Sequence, residues 1–213
     1  MVDFSFLKGK KKPAAKPAKP AALPACEGCE SAQRKAALYW KIIERYRDTI
    51  EATEAKSITD LRALIVPENP VVRKIAAEVK SGFRPYIPEH DEISAAYKAF
   101  EYCKGLKNEL IEIEYWLTPE EMVDLKAADE IDKAILLCSV LRALEIDAKV
   151  LVATEEKMRH GVVIFEAYEK FYWMDPTHDV LLSGEREGIV SSQIKDVGSR
   201  LIYEFNEQGY KEW

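Results

Sequence analysis

The sequence predicts an α+β fold, in which N-terminal helices pack on a C-terminal antiparallel sheet. Two observations predict this arrangement. In several segments before residue 146, apolar residues recur every three or four positions, as they do in amphipathic helices. After residue 147, short runs rich in valine, isoleucine and aromatic residues alternate with turns, as they do in strands. Helices that precede a run of antiparallel strands are typical of the α+β class.

Length and composition fit a soluble globular protein. The chain has 213 residues, of which 47% are hydrophobic and 32% charged, which allows one domain with an appendage. No apolar run approaches the roughly 18 to 20 residues that span a bilayer. The N-terminus lacks the charge order and the apolar core of a secretory signal, so a cytoplasmic location is expected. Four cysteines are too few for a disulfide scaffold.

Charge is distributed unevenly along the chain. Residues 1–24 contain six lysines and one aspartate, a net charge of +5, which leaves −11 for the remainder of a total of −6. Because the body is acidic, we do not expect nucleic acid as a partner. Residues 1–25 are rich in lysine, alanine and proline, and this composition predicts a disordered basic tail.

A helical segment is predicted over residues 26–65, ahead of a folded domain over residues 66–213. Within it, residues 31–55 have helical periodicity, and a second, short helix is predicted after Ser57. The first helix carries one apolar stripe, made of Tyr39, Ile42, Ile43, Tyr46 and Ile50.

Two further helices have recognisable starts. Asn69 followed by Pro70 predicts a capped helix that runs to about residue 81. Its inward face is expected to consist of Val72, Ile75, Ala76 and Val79. Asp91 is predicted to cap the next helix, whose apolar stripe consists of Ile93, Tyr97 and Phe100.

The remaining elements follow the same signals. Residues 110–116 are predicted to be extended, and Thr118 begins a capping box with proline at the first helical position. A strong helix is predicted over residues 130–145. Strands are predicted over residues 148–153, 161–167, 170–174 and 200–205, with a turn over residues 206–209.

Two segments of the sequence resemble the core of the transglutaminase-like superfamily. The first reads WLTPEE from Trp116 and continues into a helix that ends RALEI at Ile146; the second reads RHGVVIFEAYEKFYWMDPT from Arg159. The resemblance covers roughly residues 66–178 and implies a papain-like cysteine protease fold with a Cys–His–Asp triad. His160 and Asp175 fall at the histidine and aspartate positions, whereas Glu130 falls at the position of the cysteine.

The chain departs from the family pattern at three further positions. Ala128 replaces a glycine, the aromatic residue after the histidine is missing, and Phe171 stands where the family has tryptophan. In active relatives, the histidine is the general base and the aspartate orients it. Those are the roles that the resemblance implies for the positions of His160 and Asp175.

The electric field at a helix N-terminus favours a carboxylate such as Glu130, but a carboxylate cannot replace the thiolate in the acyl-transfer chemistry of the family. A helix N-terminus favours negative charge and lowers the pKa of a thiol placed there. The same field favours a carboxylate, but a carboxylate that attacks an amide forms a mixed anhydride less stable than the amide. Two interpretations remain open: Glu130 is an exposed first-turn acid, or it forms a buried pair with His160.

The four cysteines offer no clear replacement for the nucleophile. Cys138 and Cys103 lie on apolar faces of predicted helices and are expected in the core. Cys26 and Cys29 form a single CxxC pair, and a zinc site within the chain would need a second pair. This pair is interpreted as two incidental or weakly redox-sensitive thiols, with a redox element or a metal shared between chains as alternatives.

These observations lead to one functional hypothesis and one alternative. The hypothesis is a non-catalytic domain, a pseudoenzyme, that binds a peptide or protein partner through the former active-site cleft, without cofactor or metal. The alternative is a hydrolase or acyltransferase-like enzyme that uses Glu130, His160 and Asp175. In one version of this alternative, these three residues bind a divalent metal ion, and His178 would be a further ligand. The sequence does not predict the oligomeric state.

Overall fold

The computed structural model describes residues 27–54, 57–109, 115–155, 158–194 and 201–212. The helices are α1 (Glu27–Glu54), α2 (Ile58–Ala63), α3 (Pro70–Lys80), α4 (Pro88–Lys104), α5 (Pro119–Leu125), α6 (Glu130–Ala143) and α7 (Arg186–Gln193). The strands are β1 (Lys107–Asn108), β2 (Ala127–Ala128), β3 (Lys149–Glu155), β4 (Met158–Ala167), β5 (Lys170–Asp175), β6 (Val180–Gly184), β7 (Leu201–Phe205) and β8 (Tyr210–Glu212). The predicted tail and Cys26 lie outside the described residues.

The six-stranded sheet confirms the predicted α+β class. Its strand order is β6-β5-β4-β3-β7-β8, and every neighbouring pair is antiparallel. Helices α3, α4 and α6 share one core with one face of the sheet, and α6 packs directly on β3 and β4. Helix α7 packs on β5 and β6 and covers apolar residues of the second face. The two central strands are therefore buried on both faces.

Helices α3 and α5 confirm the local signals that predicted them. Asn69 Oδ1 accepts a hydrogen bond from the amide of Val71 at 2.8 Å, and the four residues predicted to face inward from α3 are buried. Thr118 and Glu121 form the predicted capping box at the start of α5. Short-range side-chain to backbone bonds fix these two helix starts.

Helix α4 begins earlier than predicted, and of its predicted stripe only Phe100 is buried. Its N-cap is Ile87, and the Asp91 carboxylate accepts a hydrogen bond from the Ile87 amide at 2.9 Å, so Asp91 supports the helix start from inside the first turn. Tyr97 is 52% exposed, and Ile93 is half-buried. The buried face instead consists of Ala95, Ala96, Ala99, Phe100 and Cys103.

The strand predictions were right in position but incomplete. The four predicted strands correspond to β3, β4, β5 and β7, and the turn after β7 closes through a hydrogen bond from the Asn206 amide to the Gly209 carbonyl. Strands β6 and β8 and helix α7 were not predicted. Of the extended segment predicted over residues 110–116, residues 110–114 lie outside the described residues, and 115–116 belong to no regular element.

Helix α1 confirms the predicted periodicity, but part of its apolar stripe is not buried. Tyr39, Ile42 and Tyr46 are exposed, whereas Ile43 and Ile50 are half-buried. The C-terminal end of the helix is held by a hydrogen bond from Trp116 Nε1 to the Glu54 carbonyl at 3.0 Å. Among the described residues, no helix is long and apolar enough to cross a membrane.

Candidate functional site

Glu130 is the first residue of α6, as the sequence predicts. Asp129 caps this helix, because its Oδ1 accepts a hydrogen bond from the Asp132 amide at 2.9 Å. The first turn of a helix presents unpaired amides and the positive end of the helix dipole. Glu130 is half-buried and therefore places a carboxylate in a field that stabilises negative charge.

The Glu130 carboxylate is hydrogen-bonded to strand β4, which packs against α6. Its Oε1 accepts a hydrogen bond from the Gly161 amide of β4 at 3.1 Å. Glycine permits this close approach: a Cβ at Gly161 would lie 3.2 Å from Ile131 Cγ1 and 3.3 Å from Ile131 Cα. The helix start and the middle of β4 are thus in direct contact.

His160 lies immediately before Gly161 in the same strand. Its backbone pairs with Ala153 of β3, so the structure brings the chain at His160 next to the residue that Glu130 contacts. The His160 side chain lies outside the described part of the structure. The predicted Glu130–His160 pair therefore remains a prediction, whereas Glu130 is half-buried and hydrogen-bonded to Gly161 and so is not a fully exposed first-turn acid.

Asp175 ends β5 and is only 1% exposed. Its Oδ1 accepts hydrogen bonds from the backbone amides of Thr177 at 2.9 Å and His178 at 3.0 Å. Its Oδ2 lies 2.8 Å from His178 Nδ1. The carboxylate thus orders the turn after β5 and contacts the imidazole of His178, a contact that the sequence analysis considered only for a metal site.

Lys133 is a buried charge near the candidate site that sequence analysis missed. It lies in the first turns of α6, one turn after Glu130, and is 2% exposed. Burial lowers the pKa of the Lys133 ammonium, and the charges of Cys103 and Asp175 oppose this shift only in part. The available signal was that Lys133 directly precedes the apolar run from Ala134 to Cys138.

The two thiols that the structure describes are core residues. Cys103 and Cys138 are fully buried, which confirms the prediction for both. Burial raises the pKa of Cys103 to about 12 and also raises the pKa of Cys138. Since the thiolate is the nucleophile, neither group is activated. The side chain of Cys29 lies outside the described residues, as does Cys26, so their pairing is untested.

No metal centre can be assembled from the part of the chain that the structure describes. Within it, no group of three or more histidine, cysteine, aspartate or glutamate side chains is placed to hold an ion. The His160 side chain lies outside that part of the chain. Asp175 and His178 alone are two metal-ligating residues in hydrogen-bond contact with each other.

An apolar groove lies at the edge of the sheet. It lies between α4 and strands β5 and β6, and is lined by Ile93, Ser94, Tyr97, Lys98, Tyr172, Met174 and Leu181. Tyr97 and Leu181, at 52% and 37% exposure, leave the groove accessible.

Comparison with known proteins supports a peptidase-like fold. Residues 114–195 match the family model of the CEP76 peptidase-like domain. This range contains α5, α6 and β3 to β6, and it includes Glu130, His160 and Asp175. No curated protein sequence matches the chain significantly.

Solved structures of LapG from Legionella pneumophila are loosely similar. The EGTA-treated form aligns with a TM-score of 0.49 and 16% identity, over 74% of this chain and 86% of that one. The calcium-bound form aligns with a TM-score of 0.44 and 18% identity, over 66% of this chain and 87% of that one.

Proposed function

We propose that residues 66–213 form a non-catalytic transglutaminase-like domain, a pseudoenzyme, that binds a peptide or protein partner through the former active-site cleft. The observation that carries this proposal is the hydrogen bond from the Gly161 amide to Glu130 Oε1 at 3.1 Å. Glu130, at the nucleophile position, accepts a hydrogen bond from the backbone of β4. It supports the contact between helix and sheet where a catalytic thiol would need to be accessible.

The chemistry of the available groups supports the same conclusion. A carboxylate stabilised by a helix N-terminus and an amide hydrogen bond is a weak nucleophile, and its product with an amide would be a mixed anhydride. Cys103 and Cys138 are buried thiols with raised pKa values, so they do not replace the missing cysteine. Burial lowers the pKa of Lys133, but this residue is only 2% exposed and is closed to a substrate, so it does not favour the enzymatic alternative.

The groove between α4 and strands β5 and β6 is the proposed peptide site. Strand β6 is at one end of the six-stranded sheet and pairs only with β5 in the described structure. An unpaired edge can accept an extended peptide as an added strand, with side chains seated in adjoining pockets. Apart from Ser94 and Lys98, the groove is lined by apolar and aromatic residues, so a peptide with alternating apolar side chains fits it.

Selection from a random peptide library displayed on phage tests this proposal. We expect the full chain to enrich peptides with alternating apolar residues, and Leu181→Gln to weaken their binding about tenfold or more. Leu125→Gln is the matched control, because Leu125 is an exposed leucine on α5, outside the groove lining. Failure to enrich any peptide, or equal loss in the two variants, would argue against the groove as the peptide site.

A cysteine placed at position 130 tests the assignment of the nucleophile position. In a chain with Cys26→Ser and Cys29→Ser, we expect Glu130→Cys to react with iodoacetamide and to titrate below an ordinary thiol, because it lies at a helix N-terminus. Glu101→Cys is the control, since it lies in the last turn of α4, where the helix dipole disfavours a thiolate. Equal pH profiles for the two thiols would contradict the assignment.

A further inference from the structure

Helix α1 carries a concentrated patch of exposed apolar side chains. Leu38, Tyr39, Ile42 and Tyr46 are 56%, 60%, 45% and 52% exposed, respectively. They are four of the ten large hydrophobic residues that are exposed in the described part of the chain. At 3.6 residues per turn, the four-residue spacing of Leu38, Ile42 and Tyr46 places them on one side of the helix, with Tyr39 beside them. A contiguous patch of this kind marks an interaction surface.

Charges on the same helix are segregated around that patch. Arg34, Lys41 and Arg45 are exposed and form a row along the edge next to Leu38. The acidic residues Glu44, Asp48 and Glu51 lie beyond this basic edge, on the side away from the apolar face. The helix therefore has an apolar face whose basic edge separates it from the acidic residues.

The part of the protein that the structure describes leaves this face open. Helix α1 has 28 residues and is about 42 Å long, and its C-terminal end is held to the body by the Trp116 bond to Glu54. The side chains that are half-buried lie on the opposite flank, at Trp40, Ile43, Arg47, Ile50, Glu51 and Glu54. The patch faces away from the contact with the body.

We propose that the Leu38–Tyr39–Ile42–Tyr46 face of α1 lies flat on an anionic lipid bilayer. An interfacial helix buries an apolar face just below the headgroups while basic side chains at its edge reach the phosphates. Tyrosine suits this depth because its ring is apolar and its hydroxyl is polar. Such a helix binds the surface and need not be apolar enough to span the membrane.

The charge distribution of the whole chain favours this orientation. Residues 1–47 contain eleven lysines and arginines and four acids, a net charge of +7, which leaves −13 for the other residues of a total of −6. An anionic surface attracts the first part of the chain and repels the acidic body. Charge complementarity thus favours a lipid surface with α1 against it and the domain directed away. The proposal does not depend on the function of the cleft.

Cosedimentation of the full chain with vesicles tests the apolar contact. The vesicles contain an equimolar mixture of phosphatidylglycerol and phosphatidylcholine. We expect the double variant Leu38→Gln with Ile42→Gln to lower the partition coefficient about tenfold or more, because two buried aliphatic side chains are lost. The matched control is Leu125→Gln with Ile87→Gln, which removes one leucine and one isoleucine of similar exposure elsewhere and should leave binding unchanged.

A second comparison tests the basic edge. The triple variant Arg34→Gln, Lys41→Gln and Arg45→Gln should lose most binding, whereas an equal charge change at the exposed residues Lys74, Lys170 and Lys211 should have a much smaller effect. Vesicles of phosphatidylcholine alone should bind the natural chain at least tenfold more weakly.

Three outcomes would overturn the proposal. The first is absence of binding to the mixed vesicles, and the second is equal binding to both kinds of vesicle. The third is a concentration-dependent dimer in sedimentation equilibrium that the Leu38→Gln and Ile42→Gln double variant abolishes, with no vesicle binding. That result would assign the face to a second copy of this chain.

Discussion

Replacement of Lys133 by methionine should stabilise the protein. Lys133 is 2% exposed, and burial lowers the pKa of its ammonium below the ordinary value of 10.5. The Cys103 thiol has a pKa of about 12 and is therefore neutral at pH 7, so Asp175 is the remaining named charge that offsets the desolvation. Methionine fills a similar volume without a charge. We expect Lys133→Met to raise the free energy of unfolding at pH 7 by about 1–2 kcal/mol.

The stability difference between Lys133→Met and the natural protein should change with pH in a direction set by the lowered pKa of Lys133. Below the folded-state pKa of Lys133, both the folded and the unfolded chain hold the proton, and the full desolvation penalty destabilises the natural protein. As the pH rises from the folded-state pKa towards 10.5, the folded chain is neutral while the unfolded chain is still protonated, so the penalty shrinks. The advantage of the methionine variant should therefore be largest below the folded-state pKa of Lys133 and smallest above about pH 10.5.

Urea unfolding of both chains at neutral pH and near pH 10.5 measures this difference. At pH 7, the expected gain corresponds to a rise of about 2–8 °C in Tm for a chain of this size. Lys74→Met is the control, because Lys74 is exposed on α3 and its replacement should change stability by less than about 0.5 kcal/mol. A loss of 1 kcal/mol or more in Lys133→Met at pH 7 would refute the reasoning, since it would show that the buried ammonium makes net favourable contacts.

Two further substitutions test the structure around the candidate site. Gly161→Ala should lower the free energy of unfolding by about 1–3 kcal/mol, because the added Cβ meets the backbone of Ile131. Gly188→Ala is the control and should not destabilise the protein, because the space at its Cβ is open. An unchanged free energy of unfolding in Gly161→Ala would contradict the close approach of helix and strand. Thr118→Ala should lower the free energy of unfolding by about 1 kcal/mol through loss of the α5 cap, and an unchanged denaturation midpoint would contradict that role.

Helix starts could be predicted from the sequence where a local signal fixes them. Asn69 with Pro70 begins α3, and Thr118 begins α5, through side-chain to backbone bonds within three residues. The same logic placed Asp91 at the wrong position in α4. An acid before a helix and an acid inside its first turn both stabilise the start, and the sequence does not distinguish them.

The elements that were missed depend on tertiary contacts. Helix α7 contains Gly188 and two serines, and it is held by Ile189 and Val190, which pack on the second face of the sheet. Strand β6 is short and at the edge of the sheet, with alternate residues exposed, so its apolar pattern is weak. In both cases the packing partner is distant in sequence, and local propensity carries little information about it.

The candidate site was predictable in position but not in its contacts. The resemblance led to Glu130 and Asp175, and the helix start at Glu130 followed from the pattern after it. That Lys133 is buried depends on how α4, α6 and β5 meet. The contact between Asp175 and His178 is local, since the two residues are three apart, but the sequence analysis considered His178 only as a metal ligand. A sequence indicates that a lysine is present but not that other elements cover it.

An assay of amide hydrolysis and acyl transfer by the unaltered full chain tests the central claim most directly. The natural chain and His160→Ala are assayed side by side with a broad set of peptide and glutamine-containing substrates. The proposed function predicts no turnover above the buffer rate for either protein. Turnover by the natural chain that disappears in His160→Ala would contradict the claim, because it would show that the site works as an enzyme without the cysteine.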